Sequence, residues 1–295
     1  MQAGRIHSNS ASDRVLVGVC YAVAILFSLI VLLPFWTILM DSFSGAAVKL
    51  GSRMWVEDFS LQAYHNVLTQ ESLFQNYGNT IFSTVVGTLF CVTTTFMAAY
   101  PLSKPNMPFN RAITYLMLFT MYFSGGLIPQ YLLYKNLGLH DSRWVLVLPA
   151  MFSAYYILVM RNFIADIPAE LEESAKLDGA NDMVIAFRIY LPLAKPILAT
   201  IALWAAVAQW NSWFTPMIYI ITPSKQVLQV MLRRMLMDSQ IAAMFDDGVT
   251  EITVAEDAVK AVTIIVTILP ILCVYPFAQK YFISGLTRDF DHEEV

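Results

Sequence analysis

Charge is what this chain has least of. Asp, Glu, Lys and Arg make up 14% of its 295 residues, against 57% hydrophobic residues. Soluble domains average about a quarter charged residues, so the composition excludes an ordinary soluble domain and points to a bilayer. A formal net charge of −4 excludes a generally basic nucleic-acid binder. Cysteine is scarce too: Cys20, Cys91 and Cys273 all lie inside apolar runs. An odd count there argues against a disulfide framework and a metal cluster, and the three read as small core residues. The four histidines, His7, His65, His140 and His292, sit in loops or tails without ligand spacing, so no metal site is expected. No Gly-x-x-x-x-Gly-Lys-Ser/Thr loop is present, which excludes ATP binding by a P-loop. Neither a Ser–His–Asp set nor a carboxylate pair can be argued. The chain is therefore expected to have no catalytic residue and to bind no cofactor itself.

What is abundant is apolar sequence, gathered into runs near 15–40, 79–100, 112–134, 144–165, 197–221 and 258–282. Crossing ~30 Å of hydrocarbon takes about 20 helical residues, so six transmembrane helices are expected in an all-α membrane protein, with 1–295 as one domain. The first run is too long for a signal peptide, and Pro34, Phe35 and Trp36 replace a small-residue cleavage site, so it reads as a retained helix. The span centres lack Asp, Glu, Lys, Arg and His. Ion-coupled carriers usually keep such groups there, which counts against a stand-alone secondary transporter. An even number of spans puts both termini on one side. Ten of the 18 Lys and Arg fall in the tails and even loops and eight in the odd loops, a lean towards cytoplasmic termini.

Several stretches interrupt this pattern. Trp55–Leu68 has the spacing of a short amphipathic helix, and Pro101–Arg111 carries three prolines and reads as a compact turn. Ser124-Gly125-Gly126, followed by Pro129, breaks the third run, either as a kink or helix end or as a break lining a translocation path. On a continuous fifth helix, Trp210, Trp213 and Phe214 form one stripe, flanked by Gln209 and Asn211. Aromatics beside amides suit a sugar, whose ring face stacks and whose hydroxyls need hydrogen bonds; the same residues also suit an interfacial aromatic belt. With Tyr122 and Tyr155 they make up the candidate substrate path. Lys225–Met237 begins the long loop 222–257 as an amphipathic helix, a turn follows near Asp246, and the tail 288–295 is acidic.

Residues 166–192 form a polar island that lipid cannot hold. Asp166 is a cap candidate ahead of Pro168, and Glu170, Glu172 and Glu173 crowd the first turns, where the helix dipole favours negative charge. Gly179 suits the left-handed end of that helix, and Asp182 starts a second one running to Pro192. The expectation is a helix–turn–helix at the membrane surface.

The spacing Glu173-Ser174-Ala175-x3-Gly179-x9-Ile189-x-Leu191-Pro192 resembles the EAA motif of ABC-importer permeases, with Ser174 in place of the first Ala. Ile167-Pro168-x2-Leu171-Glu172-Glu173, Leu177-Asp178-Gly179-Ala180, Phe59-Ser-Leu-x2-Tyr64, Trp210-Asn211-x2-Phe214-x-Pro216 and Gln279-Lys-Tyr-Phe-x2-Gly285 are similar to the carbohydrate-uptake, maltose-type inner permeases. The run from Thr120 to Leu133 resembles a branch handling complex, alginate-like or uronate-containing chains; the acidic tail departs from the small Gly- and Lys-rich end of the family. The resemblance implies a type I ABC-importer permease fold in the bacterial cytoplasmic (inner) membrane, with both termini and the EAA loop cytoplasmic. It implies a second permease subunit, two ABC ATPase subunits carrying ATP and magnesium, an extracytoplasmic solute-binding protein and a carbohydrate substrate. Glu172, Glu173, Ser174, Ala175, Leu177, Asp178, Gly179, Ile189, Leu191 and Pro192 are then the residues that couple to the ATPase. A permease for a non-sugar solute is the alternative.

Overall fold

The computed structural model describes residues 11–45, 50–51, 53–56, 58–244 and 256–286; the expected turn near Asp246 and the acidic tail lie outside them. The described chain is helical apart from turns and one isolated antiparallel bridge, Ser44 with Phe59. It divides into two compact units, 1–69 with 242–266 and 70–241 with 267–295.

In the first unit, α1 (Ala11–Ser42) is one uninterrupted helix that includes Pro34. None of its most apolar window is buried, and Cys20, Phe27 and Leu32 are all exposed. A helix that is apolar all round is stable only in an apolar surround. α2 (Gln62–Leu68) supplies the short helix expected between Trp55 and Leu68. The Phe43 ring stacks on Phe59 at 5.7 Å and on Tyr64 at 5.2 Å, closing the loop between the two helices.

The second unit is organised around α3 (Glu71–Ser103), which starts eight residues before the expected span because Asn76, Asn79 and Thr80 find buried partners. After α4 (Asn110–Tyr122) the chain turns by 112° into α5 (Leu127–Asn136). The expected interruption at Ser124–Gly126 is thus a break, made possible by Gly126 at φ +91°. The fourth run is bent by 40° between 3₁₀ turns over 143–150 and α6 (Ala154–Ala165). α7 (Glu170–Leu177), α8 (Asp182–Ile185), a π-turn over 186–190 and α9 (Leu191–Leu193) build the polar island. α10 (Lys195–Trp210) ends eleven residues short of the end of the expected span, and α11 (Phe214–Tyr219) follows as a separate short helix. α12 (Leu228–Met244) is the amphipathic helix of the long loop, and α13 (Glu256–Leu286) is the last. By length and composition two described helices can cross a membrane alone, α1 and α3, and three bent pairs qualify only when each is joined as one span.

α3 packs along both α6 and α10. Lipid tails are as apolar as Leu, so such helices associate through close packing and buried polar contacts rather than a hydrophobic force. Ala99, Ala186, Ala194 and Ala205 are buried small residues of this kind. At Gly87 a Cβ would collide with the amide of Gln209, which is itself buried and donates from Nε2 to the Leu146 carbonyl at 3.0 Å. Gly87→Val is therefore expected to push α3 from α10 and cost about 1–3 kcal/mol. Heat-induced loss of monodisperse protein should come earlier, and Gln209→Ala in the same chain should recover part of it.

The carbonyls that end α3 are also satisfied. Leu102 O accepts from Asn110 Nδ2 and from Arg161 Nε, both at 2.9 Å. Pro101 lies inside the last turn of α3, so the expected compact turn begins only at Lys104. The cysteine expectation holds for one residue in three: Cys91 is buried, whereas Cys20 and Cys273 are exposed.

Candidate functional site

α7 begins without a side-chain cap, because Asp166 closes α6 instead; Glu170, Glu172 and Glu173 face the amide end of α7 in its place. Its far end is as expected. Gly179 sits at φ +80°, its N–H donates to Lys176 O at 3.0 Å, and the Ala180 N–H donates to Ala175 O at 3.0 Å. This is a Schellman closure, which a residue with a Cβ adopts only under strain. Asn181 Oδ1 then accepts from Val184 N at 2.9 Å and caps α8. Pro192 has no N–H for the Arg188 carbonyl, and the helix widens into the π-turn just before it.

One face of this assembly is tied down. Glu172 is 15% exposed and accepts hydrogen bonds from Lys104 Nζ, from Lys176 Nζ at 2.7 Å and from Tyr190 Oη at 2.8 Å. The Lys104 ammonium also lies 4.6 Å from the Tyr100 ring centre and 4.0 Å from that of Tyr190. Burial raises the Glu172 carboxyl, but the hydrogen bonds from Lys104, Lys176 and Tyr190 outweigh it and bring it down to about 2. Burial and the hydrogen bond to Glu172 push the Tyr190 phenol up to about 12. Ala175, Ile189 and Leu191 pack beside this cluster on the apolar core of Phe96, Ile157, Met160 and Ile185.

The other face is bare. Glu173, Ser174, Asp178, Gly179 and Pro192 are exposed, and Leu177 is 89% exposed at the tip of α7. A leucine that exposed, on a helix whose opposite side is clamped, suits a protein groove. The spacing of Glu172 and Lys176 made their pair legible; Lys104 and Tyr100 come from more than 60 residues away and left no sequence signal.

The expected aromatic stripe does not form. α10 ends at Trp210, so Trp213 and Phe214 do not continue its surface. Trp210 is buried and donates from Nε1 to Thr267 O at 3.2 Å, while Asn211 Nδ2 returns to Val207 O at 2.9 Å. Trp213 lies under the Arg233 guanidinium at 3.6 Å. Phe214 and Tyr122 are exposed, the Phe214 ring stands edge-on to Trp213 at 5.5 Å, and Tyr155 stands 6.1 Å from Trp204. A cavity of about 210 Å³ between α3, α10 and α13, lined by Ile81, Leu203, Trp210 and Pro270, exposes no polar atom and does not suit a sugar.

At the Glu71 end of α3, a polar clasp holds the loops together. Asp141, at φ +55°, accepts from Ile221 N, Thr222 N, Thr222 Oγ1 and Lys225 Nζ at 2.7–3.1 Å. The Thr222 amide and hydroxyl and the Lys225 ammonium hold its carboxyl far below the usual range. Asn79 Nδ2 donates to Ser224 O and Gln226 O, and Leu228 N donates to Thr80 Oγ1. Sequence reading missed this clasp, because its members are scattered over 150 residues. Among the described residues no group of His, Cys, Asp and Glu has metal-ligand geometry.

Apolar helices of membrane-spanning length, with a clamped polar island outside them, define a membrane-embedded protein. The chain belongs to the family of binding-protein-dependent transport system inner membrane components, whose model matches residues 1–288. Protein LplC of Bacillus subtilis is 40% identical over 260 residues, covering 87% of this chain and 88% of its own. The polygalacturonan/rhamnogalacturonan transport system permease protein YtcP of the same organism is 36% identical over 268 residues, covering 90% and 94%. A bacterial ABC transporter involved in import of the acidic polysaccharide alginate has a chain of the same fold, with a TM-score of 0.82 and 34% identity over 92% of this chain and 98% of that one. The fold is that of type I ABC-importer permeases, and the protein is a multi-pass inner-membrane permease.

Proposed function

We propose that this chain is one permease subunit of an ATP-driven importer of an oligo- or polysaccharide, and that the substrate carries uronate units. Two of the three relatives named above are described with polygalacturonan/rhamnogalacturonan transport and alginate import, and these polymers contain uronic acids. In this reading the chain is one transmembrane domain of six spans: α1, α3, the broken pair α4–α5, the bent run 143–165, α10 with α11, and α13. Residues 166–192 and both termini face the cytoplasm, α7 is the coupling helix, and the clasp around Asp141 faces the solute-binding protein. ATP and magnesium bind the ATPase subunits, one of which docks on this chain while the other serves the second permease. Gln209, Trp210, Asn211, Trp213, Phe214, Tyr122 and Tyr155 remain the candidates near the path, with Phe214 and Tyr122 free to meet substrate.

The observation that carries the reading is Leu177, bare at the end of a helix clamped on its other side. Reversing a conformational population from 1:99 to 99:1 takes about 5.5 kcal/mol of differential binding, which a clamped helix transmits and a slack loop dissipates. The chain should co-purify with a P-loop ATPase and a second permease. Leu177→Asp is expected to lower the bound ATPase at least tenfold while the permease pair stays intact. Full retention of the ATPase by that variant contradicts docking through α7. Uptake of labelled oligogalacturonate, alginate oligomers and neutral maltodextrin by the reconstituted complex tests the substrate class.

A further inference from the structure

Glu172 adjoins the Glu-Ser-Ala of the motif but does not behave as a docking residue. Its neighbours Glu173 and Ser174 are exposed, whereas its own carboxylate is turned inward onto three donors. Those donors come from separate elements: Lys104 from the end of α3, Lys176 from the next turn of α7, and Tyr190 from the π-turn before α9. The two aromatic rings flanking the Lys104 ammonium belong to α3 and to that same π-turn, and Tyr100 Oη donates to the Asp182 carbonyl at 3.3 Å. One carboxylate therefore joins the lever to the end of α3 and to the segment leading into α10. We propose that Glu172 is a positioning residue for coupling: it fixes the angle of α7 to α3, so that a push on the outer face of α7 moves α3 and α10 together.

This inference rests on the proposed function, since it needs α7 to be pushed. It adds a residue whose role is exerted inside the chain, not against the ATPase. Three physical points support it. A carboxylate with three donors is held in one place, where a single surface ion pair is not. The Lys104 side chain is 23% exposed, so its charge is only partly screened. And α7, at 8 residues, is too short to hold its own direction without such an anchor.

The experiment uses the complete complex in lipid nanodiscs or proteoliposomes, with the native cysteines replaced. Spin labels at Glu170→Cys on α7 and Met97→Cys on α3 report the angle by pulsed dipolar spectroscopy. The otherwise unmodified chain is expected to give one narrow distance distribution with and without ATP–vanadate. Glu172→Gln, and Glu172→Gln combined with Lys104→Met, are expected to broaden it and to lower substrate imported per ATP hydrolysed about tenfold, with oligogalacturonate as the probe. The double variant separates positioning from folding, because removing both charges relieves the burial of an unpaired one and restores thermal stability. Recovered stability with coupling still low supports the proposal. A double variant that keeps a narrow distribution or full coupling overturns it. An unmodified complex that binds no ATPase contradicts the proposed function and takes the lever down with it, a result seen before any variant is compared.

Discussion

Gly179→Pro is expected to abolish import while the chain still inserts into the membrane. Gly179 holds φ +80° and gives its N–H to Lys176 O. Proline locks φ near −65° and has no N–H, so both the turn and the hydrogen bond are lost, at a cost of about 3 kcal/mol or more. The Ala180 to Ala175 bond that completes the closure depends on the same turn. Gly179→Ala keeps the N–H and meets no neighbour within 4 Å, so it pays only the left-handed penalty of about 1–2 kcal/mol. Uptake and ATP hydrolysis by the reconstituted complex should rank glycine above alanine, with proline at background. Import by the proline variant at the unmodified rate would show that the end of α7 does not matter.

Lys104→Met is expected to be more damaging than Glu172→Gln alone. Methionine leaves the Glu172 carboxylate buried without its principal cation, and breaking such a pair costs about 3–5 kcal/mol when the remaining charge is fully buried. Here Lys176 and Tyr190 stay and the carboxylate is 15% exposed, which places the effect below that range, about 1–2 kcal/mol. The midpoint of heat-induced aggregation in detergent should fall by several degrees, and adding Glu172→Gln should raise it again. The same carboxylate sets an acid limit. Its folded value of about 2 lies below the ordinary 4.5, so the cluster contributes stability above pH 4.5 and loses it as pH falls from 4.5 towards 2. A shift of that size corresponds to about 3 kcal/mol at most. Acidification over that window should loosen the unmodified chain, and the double variant should show a flatter profile.

Much of the architecture could be read before any coordinates. The helical class, the long first helix, the short helix before α3, the break after Tyr122 and the left-handed Gly179 all follow from local rules about runs of apolar residues, glycine and proline. The misreadings share one cause. Asp166 looks like a cap by residue type, yet the chain reaches it as the close of α6. Trp210, Trp213 and Phe214 share a stripe only if the helix continues, and it stops at Trp210, where the indole finds the Thr267 carbonyl. α3 begins early because Asn79 and Thr80 meet partners near residues 224–228, which hydropathy cannot foresee.

By itself the sequence determined that this is a membrane chain carrying one polar island whose first helix ends at a glycine. Periodicity, composition and caps are local, acting within a few residues, and local signals survive in a linear string. Only the tertiary structure decided which way that island faces: Glu172 inward, Leu177 outward, with Lys104, Tyr100 and Tyr190 converging from α3 and the π-turn. Burial, the pairing of charges and the stacking of rings depend on what distant segments bring, and one face of the island is tied down only because the end of α3 reaches it.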